Sequence, residues 1–460
     1  MAYYQKAATT ATSDCDLALA HYAVGINYRM GDLGFAMDAT RAVRHLTVSA
    51  DAGFAPAQRT LGSMHAQGIG VLKDDVKAHQ LYLKAAAQDD IRAIGFLAEQ
   101  NEHGRGCIMD LKNALRLYEK AANAGSVAAQ LSLAGLLQRI GHRSQAFTWF
   151  EKAANISSLP SSSSSTTNDN NNNNRSDDLN IDLIQHRNKA RLMVALYRLQ
   201  GLGGVEKKIA WAFNELITLA DCDHFIDAYY WVAACYEQGI FVQRNIRKAF
   251  EYYEKAAIHG DTDGQFQVAL MLANGFSEPP VVFIKRDHAK AFEWYSKAAD
   301  AGHKTAQYSL GLYYLKAIPP IIKVDHEKAA HLFERAASQG VVIAMIQLAK
   351  IMLASNSGQE QEALYWLRRA ASQGDAAGMR ELAAAYESGV AASFIKGNDN
   401  DITNMRAIAL QLLKKAAEEK KDALSWVAMA RYYENGWSVL VDIPQAIHCY
   451  NQAETLGYSK

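Results

Sequence analysis

The chain carries no surplus of either charge: Lys plus Arg and Asp plus Glu both number 48 in 460 residues. A protein that holds nucleic acid or an anionic membrane by its field needs an excess of cations, so composition supports neither partner. Cysteine is scarce, with five residues, Cys15, Cys107, Cys222, Cys235 and Cys449. They are scattered, without the close pairs that a disulfide framework or a zinc site requires, and read as reduced thiols. No uninterrupted apolar run reaches the roughly 18 residues of a membrane-spanning helix. The opening Met1-Ala-Tyr-Tyr-Gln-Lys6 also has no secretory apolar region. The expected location is cytoplasmic or nuclear, with no direct membrane insertion.

Usable catalytic arrangements are missing as well. His326-Glu-Lys-Ala-Ala-His331 places its imidazoles five residues apart, about 140° around a helix, whereas a shared zinc needs a spacing of four. Gly201-Leu-Gly203-Gly204 has no preceding strand and no following Lys-Ser/Thr, so it does not read as a phosphate loop. No enzyme activity, cofactor or metal is expected.

What the chain does contain is self-similarity. Eleven small residues, Ala20, Ala57, Ala93, Ala129, Ala190, Ala228, Gly264, Ala306, Ala344, Gly378 and Ala423, are each followed five positions later by another Gly or Ala. Nine of the ten spacings between these anchors are 34 to 45 residues. That period marks an array in which each unit buries its apolar face against its neighbours. Within a unit the anchor and its +4, +5 and +8 positions form one stripe of a first helix, as in Ala306, Leu310, Gly311 and Tyr314. A glycine eleven residues past the anchor, as at Gly31, Gly68, Gly104, Gly201, Gly239, Gly275 and Gly389, reads as a left-handed C-cap.

A second helix opens with an Asp or Asn four residues before an alanine: Asp38, Asp74, Asp110, Asn245, Asp287, Asp325 and Asp442. Such a side chain accepts from the free N–H groups of the first turn. An aromatic pair follows, such as Trp149-Phe150, Tyr252-Tyr253 or Trp294-Tyr295, then a double alanine such as Ala298-Ala299. Both read as packing. Asp287-His-Ala-Lys290-Ala291-Phe-Glu-Trp294-Tyr295-Ser-Lys297-Ala298-Ala299-Asp-Ala-Gly302 closely resembles the second helix of the Sel-1-like repeat family, the longer relative of the tetratricopeptide repeat. The resemblance covers roughly residues 15 to 457 apart from one insertion. It implies an all-α fold, a right-handed α-solenoid of about eleven antiparallel helix pairs. It also implies adaptor work. Some relatives activate cell-wall polysaccharide synthases, which gives an alternative role as a regulatory subunit of a membrane-associated synthase. A hydrolase, the third reading, would need a nucleophile and base that are not found. The fourth, ninth and eleventh units lack the usual first-helix glycine, and the fifth has Glu206-Lys207-Lys208 where the cap belongs.

The longest anchor spacing, 61 residues, holds a stretch with five serines and five consecutive asparagines. Too polar to bury anything, it reads as a disordered insertion. The expected organisation is therefore helical repeats over 1–156, the insertion over 157–182, and helical repeats over 183–460. Other insertions fall between the two helices of a unit and are apolar: Pro279 to Ile284, Ile318 to Ile322, Phe394-Ile395, and Trp437 with Val439-Leu440-Val441. They read as caps over helix ends or as a sticky rim.

First helices line the concave side of such arrays, and positions −1, +2, +6 and +9 from the anchor would face it. In units five to nine these are apolar, which predicts a peptide groove lined by Leu192, Leu196, Tyr230, Phe266, Leu270, Tyr308, Leu312 and Ile346. The expected partner is a protein presenting an amphipathic helix or extended peptide. In units three and ten the same positions include Arg92, Glu99, Glu102, Arg380 and Glu387.

Overall fold

The computed structural model describes residues 14–31, 36–155, 173–278, 281–316, 323–355, 358–388 and 399–458. Helices follow one another in antiparallel pairs, and the described chain divides into two compact units inside one helix, between Ala228 and Tyr229.

In the first unit the pairs are α1 (Asp14–Met30) with α2 (Ala39–Asp51), α3 (Ala55–Gln67) with α4 (Asp75–Ala86), α5 (Ile91–His103) with α6 (Leu111–Asn123), and α7 (Val127–Arg139) with α8 (Arg143–Ala154). A fifth pair, α9 (Asn173–Gln200) and α10 (Ile209–Ile217), runs on through a short π turn at Thr218–Cys222. Helices α8 and α9, on either side of the polar insertion, pack directly together. Tyr197 lies 5.8 Å from both Phe147 and Phe150, and Arg198 reaches Glu151 at 2.5 Å. Of the insertion expected over 157–182, residues 157–172 lie outside the described residues, whereas 173–182 are not disordered but form the first turns of α9.

The second unit takes in most of α11 (Ile226–Gln238), paired with α12 (Ile246–Ile258). Then come α13 (Thr262–Asn274) with α14 (His288–Asp300), α15 (Lys304–Lys316) with α16 (His326–Ser338), α17 (Val342–Ala354) with α18 (Glu360–Ser372), α19 (Ala376–Glu387) with α20 (Asp399–Lys420), and α21 (Ala423–Asn435) with α22 (Ile443–Thr455). Between α13 and α14 a small hairpin, β1 (Phe276–Glu278) and β2 (Val281–Ile284), pairs antiparallel, with Phe276 opposite Ile284. Ile284 is buried in the core and Phe276 packs beside it. That apolar turn thus folds back onto α12, the second helix of the preceding pair. The apolar segments at 318–322 and 394–395 lie outside the described residues.

The local chemistry explains the pairs. All seven expected caps act as such: the side chains of Asp38, Asp74, Asp110, Asn245, Asp287, Asp325 and Asp442 each accept from the N–H three residues on, at 2.9 to 3.0 Å. Gly68 and Gly104 end their helices in the left-handed conformation. In the eleventh pair Gly436, thirteen residues past its anchor, does the same for α21. The glycine expected at 389 is outside the described residues. Where the sequence offers no acidic cap, at His142, Lys208 and Gln359, no side-chain cap forms.

Packing follows the small residues. The anchors are buried except Ala423, which is half-buried. At Gly311 a methyl group would stand 2.7 Å from Phe333 Cε1, a fully buried ring, so glycine is what lets α15 and α16 approach. In the aromatic pairs the second ring, Phe150, Tyr253 or Tyr295, is buried. The first stays half-open under a lysine: Lys152 over Trp149 at 3.9 Å, Lys255 over Tyr252 at 4.6 Å and Lys297 over Trp294 at 4.1 Å.

One link between successive pairs was not anticipated. The residue after the anchor is often Gln, and its amide donates to the carbonyl of the second alanine of the preceding pair. Gln58 reaches Ala50 at 3.1 Å, Gln130 Ala122 at 3.2 Å, Gln265 Ala257 at 3.3 Å and Gln307 Ala299 at 3.1 Å. Each of these carbonyls also accepts from the backbone N–H three residues on, at Gly53, Gly125, Gly260 and Gly302, so the buried amide is a second donor to the same oxygen and sets the register of one pair on the next.

A candidate partner-binding strip

The eight residues expected to line a groove separate into two groups. Leu192 (4% exposed), Leu196 (7%) and Ile346 (5%) are buried, so they cannot receive a peptide as the sequence reading expected. The physical reason is contact between first helices: α9 touches α7 as well as α8 and α10, and α17 touches α19 as well as α18. Where neighbouring first helices close on each other, the +2 and +6 positions belong to the core.

The other five, all in the second unit, are half-buried: Tyr230, Phe266, Leu270, Tyr308 and Leu312. Each +2 aromatic rests on a ring from the second helix of its own pair. Tyr230 lies 5.4 Å from Tyr253 and meets Trp231 edge-on at 5.5 Å. Phe266 lies 5.9 Å from Tyr295 and stacks on His303 at 4.7 Å. Tyr308 lies 5.7 Å from Phe333. One edge of each ring is fixed by packing, which leaves a rigid, partly open surface at successive pairs. Burial raises the hydroxyl pKa of Tyr230 and Tyr308, and Tyr230 also hydrogen-bonds Gln267 of α13. Both phenols are therefore neutral donors near neutral pH.

Of the charged positions of units three and ten, Glu99, Glu102 and Arg380 are engaged in ion pairs. Glu102 accepts from the Tyr118 hydroxyl at 2.9 Å and pairs with Arg139, Glu99 meets Arg105 at 3.2 Å, and Arg380 meets Asp422 at 2.5 Å. Among the described residues no three His, Cys, Asp or Glu side chains are placed to hold a metal ion, and no helix is long and apolar enough to cross a membrane. The strip can therefore offer apolar contact area, aromatic edges and a few hydrogen bonds.

A second exposed feature escaped the sequence reading. Leu72 and Ile108, each two residues before a cap aspartate, are both 92% exposed. Ile108 is followed by the exposed Met109, and both turns follow a left-handed glycine, Gly68 or Gly104. Among the anticipated rim residues Trp437 packs edge-on against Tyr432 at 5.6 Å, while Leu440 and Val441 are exposed.

No curated protein matches this chain in sequence. Among solved structures it is similar to a protective antigen present in uropathogenic Escherichia coli strains that displays an SLR fold. That match has 23% identity and a TM-score of 0.52, over 99% of this chain and 86% of the antigen. It is also similar to a Sel1 repeat protein from Oxalobacter formigenes, with 25% identity and a TM-score of 0.50 over 76% of this chain and 90% of the other. The Sel1 repeat model matches ten segments: 18–54, 55–90, 92–126, 129–157, 226–261, 262–303, 304–341, 342–375, 376–420 and 422–458. The fifth pair, α9 with α10, lies outside them, in keeping with its long first helix and missing cap. Ten matched repeats over most of the sequence, stacked as successive helix pairs, mean that the chain belongs to the Sel1 repeat family, as an all-α helical-repeat solenoid.

Proposed function

We propose that the chain is a non-catalytic adaptor that holds a partner protein along the first helices of the second unit. The observation that carries this reading is the row of half-open, packing-fixed side chains at Tyr230, Phe266, Leu270, Tyr308 and Leu312. Rings already held in place lose little conformational freedom when a partner covers them, which favours them as anchors. Membership of the Sel1 repeat family supports interaction work in general. The partner is an amphipathic helix or extended peptide whose apolar face meets the strip at intervals of one repeat.

Affinity capture followed by mass spectrometry, with Phe266→Ala and Tyr308→Ala combined as the comparison, tests the reading. The double variant should lose at least ten-fold in recovery of the specific partner while keeping native helicity by circular dichroism. Undiminished recovery at native helicity would refute the assignment of the strip.

A further inference from the structure

His303 occupies a position that other residue types fill elsewhere in the array. The first helices α5, α13, α19 and α21 are capped by the carboxylates of Asp90, Asp261, Asp375 and Asp422, and α7 by the Ser126 hydroxyl. At α15 the acceptor is an imidazole: the N–H of Ala306 donates to His303 Nδ1 at 3.0 Å. That bond fixes the tautomer. Because Nδ1 accepts, the ring proton sits on Nε2, which lies 3.1 Å from Asp263 Oδ1 on α13. The same ring stacks on Phe266 at 4.7 Å and is only 14% exposed.

Three jobs therefore depend on one neutral ring. It caps α15, ties α15 to α13, and supports Phe266. Protonation removes the first outright, because an imidazolium has no lone pair at Nδ1 and carries a positive charge next to the positive end of a helix. The charged groups acting on the ring are Asp263 and Asp261 from the start of α13 and Lys304 from α15, while Arg335 of α16 donates to the Ala299 carbonyl at 2.9 Å. From α14 comes the Ala298 carbonyl, which accepts the His303 N–H at 2.9 Å.

We propose that His303 is a proton-operated latch between the seventh and eighth helix pairs. Neutral, it closes the α15 cap and backs Phe266; on taking a proton from solvent at Nδ1, it releases the first turn of α15 and turns toward Asp263. Burial holds the imidazole below its ordinary value, against the opposing pull of Asp263 and Asp261, so the latch opens in mildly acidic conditions rather than at neutral pH. This holds whether or not the aromatic strip binds a partner.

The test is a pH titration of the full chain carrying isotope-labelled histidine and alanine. The His303 ring should titrate below 6.5 and the Ala306 amide should shift with the same midpoint. Amide protection at Thr305 and Ala306, corrected for the intrinsic pH dependence of exchange, should fall about five-fold from pH 7 to pH 5, the typical worth of one cap. His303→Asn keeps a capping side chain without a titratable group and should abolish that fall. A midpoint at or above 6.5, an Ala306 amide that ignores the His303 titration, or an equal loss of protection in His303→Asn would each overturn the proposal.

Discussion

Adding one carbon at Gly311 separates steric closeness from helix propensity. Alanine favours a helix over glycine by about 1 kcal/mol, so a Gly→Ala change in an open helix interior is stabilising. Gly95 in α5 is such a place, with no atom within 4 Å of an added methyl. At Gly311 the same methyl would fall 2.7, 2.9 and 3.1 Å from three carbons of the Phe333 ring. That ring is fully buried, 5.7 Å from Tyr308, so it cannot swing clear. Overpacking of this kind costs about 1 to 3 kcal/mol. Subtracting the Gly95→Ala effect from the Gly311→Ala effect cancels the propensity gain and leaves the steric cost. The expected difference is about 1 to 3 kcal/mol against Gly311→Ala. Urea unfolding followed by circular dichroism reads the midpoints, with hydrogen exchange localising the change to α15 and α16. Phe333→Leu in the Gly311→Ala background should recover part of the loss, because residues in contact do not add independently. If both alanine variants stabilise equally, within about 0.5 kcal/mol, close helix approach at glycine is not what holds this pair together.

Asp422 provides a pH test: burial would raise its carboxyl, but hydrogen bonds from Ser425 and the Arg380 guanidinium outweigh that and hold it below the ordinary value. With the folded value depressed, its contribution is present above about pH 4 and lost as pH falls through the folded value. Asp422→Asn should thus be less stable at pH 7 and show a shallower acid loss; parallel acid curves would refute the pairing. Burial pushes the Cys235 and Cys449 thiols up to about 11, whereas Cys222 is exposed. An aromatic disulfide reagent at pH 8, mapped by mass spectrometry, should modify Cys222 long before those two, and equal rates would show that their burial is wrong. Asp287→Ala removes the acceptor for the Lys290 N–H and should cost about 1 kcal/mol in urea, with exchange rising at the start of α14 rather than throughout the chain.

The capping aspartates were legible because a cap is a local device: an Asp followed by an alanine stripe contains both partners of the bond within four residues. The alanine anchors were legible for a similar reason, since their spacing repeats. The Gln links were not, because a buried Gln58 or Gln307 looks like any surface polar residue until its acceptor, eight residues earlier on another helix, is known. Leu192, Leu196 and Ile346 show the same limit from the other side. Their placement on a helix face followed from periodicity, but whether that face opens or closes depends on how neighbouring first helices lean together. Tyr230, Phe266 and Tyr308 keep the same register yet stay half-open. The histidine at 303 was not legible for a third reason: it caps a first helix, where the residue type at the cap varies, whereas the second-helix caps repeat as Asp or Asn.

Seven of the eleven anchors are followed by something other than glutamine: His21, Ile94, Arg191, Tyr229, Met345, Met379 and Leu424. In a linear stack, cooperativity is only as long as its unbroken run of strong couplings. Staples at some seams and none at others would make the molecule fray in blocks under pulling or denaturant, with the seams entering Ile94 and Met345 parting before those clasped by Gln58 and Gln307. The side-chain amides thus write a tear pattern into an otherwise uniform run of repeats.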